Sequence, residues 1–336
     1  MNNKWYESSG KDSDVVISTR IRLARNLNDY PFPIRMNLQQ KNEVVDLVFD
    51  ALKHSSDNAL AHLKFCKLDT ISRDELLSLV ENRVISHEMI SYDIQGKAVV
   101  FDEGYNISIM INEEDHIRIQ TIKEGEALKK TFELADKIDN LLTEQLDIAF
   151  DDQLGYLTQC PTNLGTGMRC SLMLHLPALM ETGEITRITS NLSKLGIVVR
   201  GSHGEGSKVE GAYFQISNQI SLGLSEYEAI SNLSALSSQI IEKERNCRKG
   251  LLSNVTFEDK VFRALGVLKY SRQLSYSEFI DKISYVRLAV SEGKISGVEL
   301  KDIDFLMSHV KLFDTDKDTS LSMRADMVRK GLEAAK

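Results

Sequence analysis

The chain mixes two periods of apolar and polar residues. In His116–Ile122 the two classes alternate, so that Ile117 and Ile119 lie on one face and Arg118 and Gln120 on the other. A period of two is typical of a half-buried strand, because successive side chains of a strand point to opposite faces. Short apolar runs between polar residues predict five more strands, at Asp14–Thr19, Lys97–Phe101, Ile107–Ile111, Gly196–Arg200 and Ala212–Ser217.

Apolar residues at helical spacing occupy most of the rest of the chain. The predicted helices before residue 250 cover 38–54, 72–90, 124–148, 167–182, 184–195 and 225–248. Those after it cover 256–269, 275–292, 299–313 and 320–334. Because strands and helices are mixed without regular βαβ alternation, we expect an α+β fold with an antiparallel sheet. The break near Leu251–Thr256 divides the chain into two predicted domains, residues 1–250 and a helical module at 256–336.

Composition and charge narrow the functional class. Against 49 Asp and Glu stand 41 Lys and Arg, a net charge of −8 over 336 residues, which argues against nucleic-acid binding by bulk attraction. No run of about 18 apolar residues occurs, so we expect no membrane-spanning helix. The N-terminus lacks the apolar region of a secretory signal. The four cysteines are scattered, as in a cytoplasmic protein with reduced thiols.

The common nucleotide-binding and metal-binding motifs are absent from the sequence. No Gly-Lys dipeptide is followed by Ser or Thr, so there is no P-loop, and GxGxxG is also missing. His87-Glu88 begins like a zinc-protease helix, but Ser91 stands where the second histidine is required. The aspartates at 314, 316 and 318 resemble a calcium loop, yet Thr319 and Ala325 replace its turn glycine and final glutamate. We therefore predict no metal site built by the protein alone.

Five arginines beside small polar residues and glycines are the main chemical feature. A guanidinium group keeps its charge and binds phosphate oxygens through two parallel hydrogen bonds, so a cluster of arginines suits a polyphosphate. Any one of them alone is more simply explained as a surface residue or an ion-pair partner. The five are Arg20, Arg22, Arg118, Arg169 and Arg200.

Two glutamates lie close in sequence to these arginines. Glu114 precedes Arg118 by four residues, and Glu205 follows Arg200 by five, in the glycine-rich segment GSHGEGSKVEG. A carboxylate beside a phosphate site needs a reason not to repel it, such as binding Mg²⁺ or holding a cationic acceptor. The alternative for either glutamate is a solvated loop charge.

Several long motifs resemble the phosphagen (guanidino) kinases, the creatine and arginine kinase family. CPTNLGT at 160–166 matches the family signature and NEEDHIR at 112–118 a second hallmark, with STRIRLARN, GTGMRCSLMLHLP and VVRGSHGEG in the family's order. The similarity runs from about residue 14 to 250. The missing N-terminal helical domain and the helical C-terminus resemble the bacterial protein-arginine kinase branch. The resemblance implies a phosphagen-kinase-like catalytic domain, with an antiparallel sheet flanked by helices, followed by a C-terminal helical domain.

The resemblance also implies the chemistry and the site. ATP would donate its γ-phosphoryl group to an arginine side chain of another protein, with Mg²⁺ bridging the phosphates and Arg118 among the catalytic residues. Glu114 and Glu205 would orient the acceptor guanidinium, with Glu114 accepting its proton, and Cys160 would align it as a thiolate. The implied nucleotide contacts are Ser18, Thr19, Arg20, Ile21, Arg22, Arg83, Arg118, Arg169, Cys170, Ser171, Leu172, Met173, Arg200, Gly201, Ser202, His203, Gly204 and Glu205.

Two positions depart from the family pattern. Arg83, in ENRVIS, stands where the family has a nucleotide-contacting histidine, so a cation is retained with a different geometry. Near the C-terminus, the RDxxRA motif that binds phosphoarginine in this branch is incomplete, because Ser320-Leu321 replaces its Arg-Asp half while Arg324-Ala325 matches the other half. Phosphoarginine sensing at Arg324 is therefore not predicted.

Three functions are compatible with these residues. The first is a cytoplasmic, homodimeric protein-arginine kinase that marks proteins with exposed arginines for a ClpC–ClpP protease and regulates a CtsR-like stress-response repressor, with a McsA-like zinc-binding activator. The second is a kinase for free arginine or another small guanidino compound. The third is a catalytically silent adaptor, which the retention of Glu114, Cys160, Glu205 and the arginines disfavours.

Overall fold

The structure is a computed structural model. It describes residues 4–53, 60, 62–201, 211–310 and 317–336. Within this part of the chain, no helix is long and apolar enough to cross a membrane.

An eight-stranded antiparallel sheet organises the N-terminal three quarters of the chain. Its spatial order is β2-β3-β4-β5-β1-β8-β10-β9. The strands are β1 (Val16–Arg25), β2 (Lys64–Lys67), β3 (Ala98–Phe101), β4 (Ile107–Ile111), β5 (Ile117–Glu124), β8 (Met168–His175), β9 (Ile197–Gly201) and β10 (Tyr213–Asn218). A separate two-stranded ribbon consists of β6 (Phe150–Asp151) and β7 (Gly155–Tyr156).

Helices flank the sheet and form the C-terminal region. The first seven are α1 (Leu38–Lys53), α2 (Arg73–Glu81), α3 (His87–Ser91), α4 (Leu128–Thr143), α5 (Pro177–Glu181), α6 (Ile185–Lys194) and α7 (Glu226–Leu251). The C-terminal four are α8 (Val255–Tyr270), α9 (Tyr276–Ser291), α10 (Leu300–His309) and α11 (Lys317–Gly331). The predicted mixture of antiparallel strands and helices, with a helical C-terminus, is confirmed.

The central strand β1 shows why the two faces of the sheet differ. Ile21 and Leu23 are fully buried and belong to the core formed with α1, α4 and α7, while Arg20 and Arg22 point to the opposite face. Burying the apolar side chains of each strand on one face stabilises the sheet by about 1.5–3 kcal/mol per large side chain. One face is thus fixed by the apolar core, and polar side chains are left for the other.

The polar face is itself divided between the two parts of the chain. Ile122, Met173 and Tyr213, from three different strands, lie at one end of this face and pack in a second core with the C-terminal helices. The N-terminal residues Trp5 and Tyr6 belong to the same core. The arginines of this face lie outside this second core.

Two predicted helices are wrong in part. The segment predicted as a helix at 167–182 contains β8, whose Cys170, Leu172 and Leu174 are buried on the core face. Its near-continuous apolar run does not distinguish a central strand from a buried helix. The helix predicted at 72–90 is two helices, because Arg83 between them has a φ of 61°, which no α-helix accommodates.

The predicted domain boundary falls between α7, which ends at Leu251, and α8, which begins at Val255. The division into residues 1–250 and 256–336 stays a prediction. Contacts cross it, since buried Arg287 donates to the main-chain oxygen of Asp14 and buried Arg248 donates to the Ser291 hydroxyl.

Candidate functional site

Four arginines from three neighbouring strands lie on the polar face of the sheet. In the register of β1 and β8, Arg22 lies directly opposite Arg169. In the register of β1 and β5, Arg118 lies opposite Ala24, which has the same orientation as Arg20 and Arg22. We refer to Arg20, Arg22, Arg118 and Arg169 as the arginine cluster. A fifth, Arg200 on β9, lies opposite Gln215 on the same face.

Within the arginine cluster, Arg20 and Arg22 form no salt bridge with the described residues and lie close to other cations. Burial and the nearby cations of Arg83, Arg118 and Arg169 lower the pKa of Arg20 to about 9. Burial and the other cluster members hold the pKa of Arg22 well below its usual range. The buried Nε of Arg22 has no hydrogen-bond partner among the described residues. Because like charges held close in a partly buried site repel one another, a bound polyanion would relieve this repulsion.

Arg118 is the cluster member that has an acidic partner. Its Nη1 donates to Glu113, which also accepts a hydrogen bond from the Ser86 hydroxyl at 2.7 Å. Although burial opposes it, the carboxylate of Glu113 raises the pKa of Arg118. This pair fixes the orientation of one guanidinium at the edge of the cluster.

Arg83 is held next to the cluster by main-chain contacts. The Nε2 of Gln120, on the same face of β5 as Arg118, donates to the main-chain oxygen of Arg83 at 2.7 Å. The guanidinium of Arg83 lies 5.2 Å from the ring centre of Trp5. The structure therefore places the predicted Arg83 beside the cluster, between it and the N-terminal segment.

Glu114 lies in the turn between β4 and β5, at the end of the sheet where β1 also ends. Its carboxyl group is half-buried. Burial and the neighbouring carboxylates of Asp115 and Glu113 raise its pKa, although Arg118 opposes them. A carboxyl group whose pKa is raised towards neutrality is suited to accept and release a proton.

Buried polar contacts hold this turn in place. His116 accepts a hydrogen bond at Nδ1 from the Leu27 amide, so its Nε2 carries the proton and donates to the Pro31 oxygen, both at 2.9 Å. Burial lowers the pKa of His116 and keeps the ring neutral. Asn26 accepts from the His116 amide at 2.9 Å. These hydrogen bonds tie the polar turn to the segment from Asn26 to Pro31.

Asp115 joins the Glu114 turn to the segment that carries Cys160. Its Oδ1 accepts from the Asn26 side chain at 2.7 Å and from the Gln159 amide at 2.8 Å. Cys160 follows directly, and its Sγ lies 3.1 Å from the Thr162 hydroxyl. Glu114 and Cys160, distant in sequence, are thus held by one hydrogen-bonded unit.

The side chains of the other predicted contacts are distributed between the core face and the polar face of the sheet, because alternate residues of a strand point to opposite faces. The side chains of Ile21, Cys170 and Leu172 are on the core face, and burial raises the pKa of the Cys170 thiol to about 12. Thr19 is also turned inward, where its hydroxyl donates to the Gly125 oxygen. On the polar face, Ser171 bonds the Arg20 oxygen. Ser18 lies opposite Met173, and Gly201 ends β9, whereas Ser202, His203, Gly204 and Glu205 lie outside the described residues.

Sequence reasoning missed two residues that position the site. Glu113 pairs with Arg118, and Asp115 carries the contact to the Cys160 segment. Both residues flank Glu114 in the acidic triplet 113–115. The NEEDHIR motif was therefore the signal in the sequence that could have pointed to them. What it could not reveal is which of three adjacent carboxylates turns towards an arginine and which towards a main-chain amide.

The geometry combines an anion site with a proton acceptor. The arginine cluster offers fixed donors to phosphate oxygens, as phosphoryl-transfer sites require. A carboxyl group and a thiol lie at the adjoining end of the sheet. The arrangement can hold a polyphosphate and present it to an acceptor that must lose a proton.

Two families of known proteins match the chain. Residues 43–247 match the C-terminal catalytic domain of the ATP:guanido phosphotransferases. Residues 254–336 match the C-terminal domain of the protein-arginine kinase McsB. The chain therefore belongs to the ATP:guanido phosphotransferase family. Within that family it belongs to the protein-arginine kinase branch, as curated relatives along nearly the whole chain show.

A protein-arginine kinase of Brevibacillus brevis is 44% identical over 298 residues, covering 88% of this chain and 83% of the relative. One of Clostridium novyi is 39% identical over 339 residues, covering 98% of each chain. The resemblance identified in the sequence is confirmed.

Solved structures share the fold of the catalytic part. A duplicated taurocyamine kinase from Schistosoma mansoni superposes with a TM-score of 0.61 at 26% identity, over 73% of this chain and 36% of the other. A lombricine kinase superposes with a TM-score of 0.64 at 23% identity, over 74% of each chain, and supports the fold alone. The phosphagen-kinase-like fold predicted from the sequence is confirmed.

Proposed function

We propose that this protein is an ATP-dependent protein-arginine kinase, which transfers the γ-phosphoryl group of ATP to the guanidinium of arginine side chains in other proteins. The observation that carries this proposal is the arginine cluster, in which Arg20 and Arg22 form no salt bridge with the described residues, next to the turn that carries Glu114. Its membership in the protein-arginine kinases supports the choice of acceptor.

The arginine cluster is assigned to the phosphates of ATP. The Nε of Arg22, which has no partner among the described residues, and the guanidinium of Arg169, which is oriented by the Ser217 hydroxyl at 3.0 Å, supply donors to phosphate oxygens. Mg²⁺ would be held by the phosphate oxygens, as is common for nucleotide sites, and would neutralise phosphate charge there.

Glu114 is assigned to the acceptor. A guanidinium has a pKa above about 12 and is not nucleophilic until it loses a proton. In the reaction a terminal nitrogen of the acceptor attacks the γ-phosphorus. The bond from that phosphorus to the bridging oxygen breaks, ADP leaves with the electron pair, and the proton passes to the Glu114 carboxylate. The half-buried position of Glu114 favours its protonated form, which assists the last transfer.

Cys160 and Glu205 complete the proposed acceptor site. The Cys160 thiol lies on the loop that Asp115 ties to the Glu114 turn, where a thiolate would align the acceptor guanidinium. Glu205 is proposed as the second carboxylate on the acceptor. Its place in the sequence, five residues after Arg200 at the end of β9, supports this assignment.

The cellular setting is part of the same proposal. We assign the protein to the cytoplasm, as a homodimer that marks proteins for a ClpC–ClpP protease and acts on a CtsR-like repressor in the stress response. A McsA-like zinc-binding protein is proposed as its activator. The supporting observations are the family membership and the scattered, unpaired cysteines Cys66, Cys160, Cys170 and Cys247.

The test separates protein arginine from small guanidino compounds. Purified protein is incubated with MgATP and either unfolded casein or free arginine, and phosphoarginine is located by mass spectrometry under conditions that preserve the acid-labile bond. We expect phosphoarginine within casein and far less of it with the Glu114→Gln variant. Transfer to free arginine alone would assign the protein to the small-molecule kinases. Binding of ATP without transfer to either acceptor would favour an adaptor.

A further inference from the structure

A groove of about 330 Å³ lies beside the loop that carries Cys160. Its walls are the β6–β7 ribbon, the loop at Gly165 and Thr166, and the segment from Ser221 to Glu226 at the start of α7. A volume above about 300 Å³ is within the range of ligand sites. The mechanism proposed above assigns no role to this groove.

The rim of the groove exposes an unusual number of large apolar side chains. Phe150, Leu222 and Leu224 line it and are 56%, 44% and 39% exposed. Leu154 and Ile220, close by in the chain, are also exposed. Apolar side chains scattered singly over a surface need no explanation, but several around one groove are typical of an interaction site.

The groove is structurally continuous with the acceptor loop. The Tyr156 amide donates to the Gly165 oxygen at 2.8 Å. The Ser221 hydroxyl bonds the oxygens of Thr162 and Leu164, at 3.1 and 2.9 Å. Both opposite walls are therefore attached to the segment that begins at Cys160. This segment leads into β8 at the end of the sheet where Glu114 lies.

The floor of the groove is rigid. The Tyr156 ring lies 3.4 Å beneath the guanidinium of buried Arg25, which is itself paired with Asp139. Phe150 packs edge-on against Tyr156, with ring centres 5.1 Å apart. A ligand in this groove would meet preformed aromatic surfaces, which reduces the entropy lost on binding.

The charge of the groove favours a cationic ligand. Glu226 is the charged residue among those that line it, and no lysine or arginine is among these lining residues. Exposed carboxylates adjoin the groove at Asp151, the last residue of β6, and at Asp152, in the turn that follows. Apolar contacts flanked by acidic groups complement a polypeptide that carries apolar and basic side chains.

We propose that this groove binds a segment of the substrate polypeptide next to the acceptor arginine, recognising apolar and basic side chains. This inference rests on the proposed protein-arginine kinase function. It assigns a second contact to the substrate, outside the site of phosphoryl transfer, through which a protein is preferred over an isolated arginine.

The test compares a long and a short acceptor. Leu222→Lys places a positive charge and a polar group on the rim, and we expect the KM for unfolded casein to rise about five- to tenfold with kcat unchanged. The blocked tripeptide acetyl-Ala-Arg-Ala-amide, which is too short to occupy the groove and the acceptor site together, should retain its kcat/KM. Leu195→Lys is the matched control, because Leu195 is 62% exposed outside the groove.

A second variant tests the acidic contribution. Asp152→Asn should raise the KM for casein about twofold at 0.05 M salt, and the difference should vanish at 0.5 M salt, where exposed charges are screened. Equal KM values for the Leu222→Lys and Leu195→Lys variants would overturn the docking proposal. An equal loss with casein and tripeptide would also overturn it, since the substitution would then act through the acceptor loop.

Direct binding distinguishes this proposal from the proposed function. Fluorescence anisotropy of a labelled casein fragment is measured with wild-type protein and both lysine variants in the absence of ATP. Weaker binding to the Leu222→Lys variant alone supports the groove, even if the wild-type protein forms no phosphoarginine. Phosphoarginine formation on casein with identical binding by all three proteins would retain the kinase and exclude the groove.

Discussion

Arg22 and Arg25 lie three residues apart on β1, yet they have opposite surroundings. Arg25 is on the core face and only 2% exposed, and it forms a salt bridge of 2.6 Å with Asp139. It also donates to the oxygens of Ala24 and Thr166, at 2.9 and 3.1 Å. Arg22, on the other face, has cationic neighbours and a buried Nε without a partner among the described residues.

This difference distinguishes a structural arginine from one that is suited to bind an anion. A buried charge is tolerated when a counter-charge and further hydrogen bonds replace the lost water. Arg248 and Arg287 follow the pattern of Arg25, since Arg248 pairs with Glu244 at 2.8 Å and Arg287 with Asp304 at 2.9 Å. Among the described residues, Arg20 and Arg22 of the arginine cluster have no such counter-charge, and phosphate oxygens of the proposed nucleotide would supply it.

The largest effect is expected from the substitution of Arg25, the structural arginine. Arg25→Met removes the partner of buried Asp139 and should lower the free energy of unfolding by about 3–5 kcal/mol, because an uncompensated carboxylate remains in the core. Urea denaturation followed by circular dichroism measures this loss. The double variant Arg25→Met/Asp139→Leu is the control and should recover much of the stability. A single variant as stable as the wild type would show that this pair is not required by the fold.

The next effect is expected from the matching substitution in the cluster. Arg22→Met should reduce kcat/KM about 10²–10³-fold, the usual cost of one donor to transition-state charge. It should not lower the free energy of unfolding, because it removes repulsion between cations. Arg22→Lys should recover only part of the rate, since an ammonium lacks the planar fork of a guanidinium.

Steady-state kinetics and urea denaturation on the same protein preparation give both readouts for Arg22. A destabilised but catalytically normal variant would reverse the comparison and make Arg22 structural. If ATP at about 100 times its Kd stabilises the wild type by about 2.7 kcal/mol, this increment should shrink in the variant.

The sequence alone could identify these arginines as chemically unusual but not assign them to faces. Arg22 and Arg25 stand in one segment, RIRLARN, and the strand predicted there ended at Thr19. Extending it to Arg25 assigns the two residues to opposite faces by parity. Their partners come from distant segments, Asp139 from α4 and Arg169 from β8, and no local pattern reveals such pairings.

The error at β8 had the larger consequence for the site. A helix over 167–182 would place Arg169 at a helix start, whereas the strand places it directly opposite Arg22. The alternation of Arg169 and Ser171 with Cys170 and Leu172 was present in the sequence, and Met168 and Leu174 fit it, but apolar Met173 on the polar face obscured it. The fold class was predictable because many elements agree, while the register of one strand depends on a few residues.

The pH dependence of the rate tests whether Glu114 accepts the proton of the acceptor guanidinium while the arginine cluster binds the phosphates. Burial and the Asp115 and Glu113 carboxylates raise its pKa, so the ionised form that accepts a proton is lost earlier as pH falls. We expect kcat/KM to fall tenfold per pH unit below this raised pKa, and Glu114→Gln to remove this limb of the profile together with most of the rate.

The raised pKa of Glu114 also predicts the direction in which its substitution changes the free energy of unfolding. Because its folded-state pKa is raised, the folded protein binds the proton more tightly than the unfolded chain, and ionisation at neutral pH costs stability. Glu114→Gln should therefore raise the free energy of unfolding at pH 7, with no gain below the pKa of an exposed glutamate. A loss of stability at pH 7 would show that the carboxylate is a structural anchor like Asp115.

The smallest effect is expected from an arginine that has a close carboxylate but no burial. Arg263 on α8 lies 2.6 Å from Asp259, one helical turn away, and both side chains are mostly exposed. Water already solvates both charges, so their pairing adds little. Arg263→Gln should leave both kcat/KM and the urea midpoint within experimental error of the wild type. A marked loss of kcat/KM or of the urea midpoint would mean that a nearby carboxylate is enough to make an arginine structural. An unchanged protein would show that burial accounts for the difference between Arg25 and Arg263.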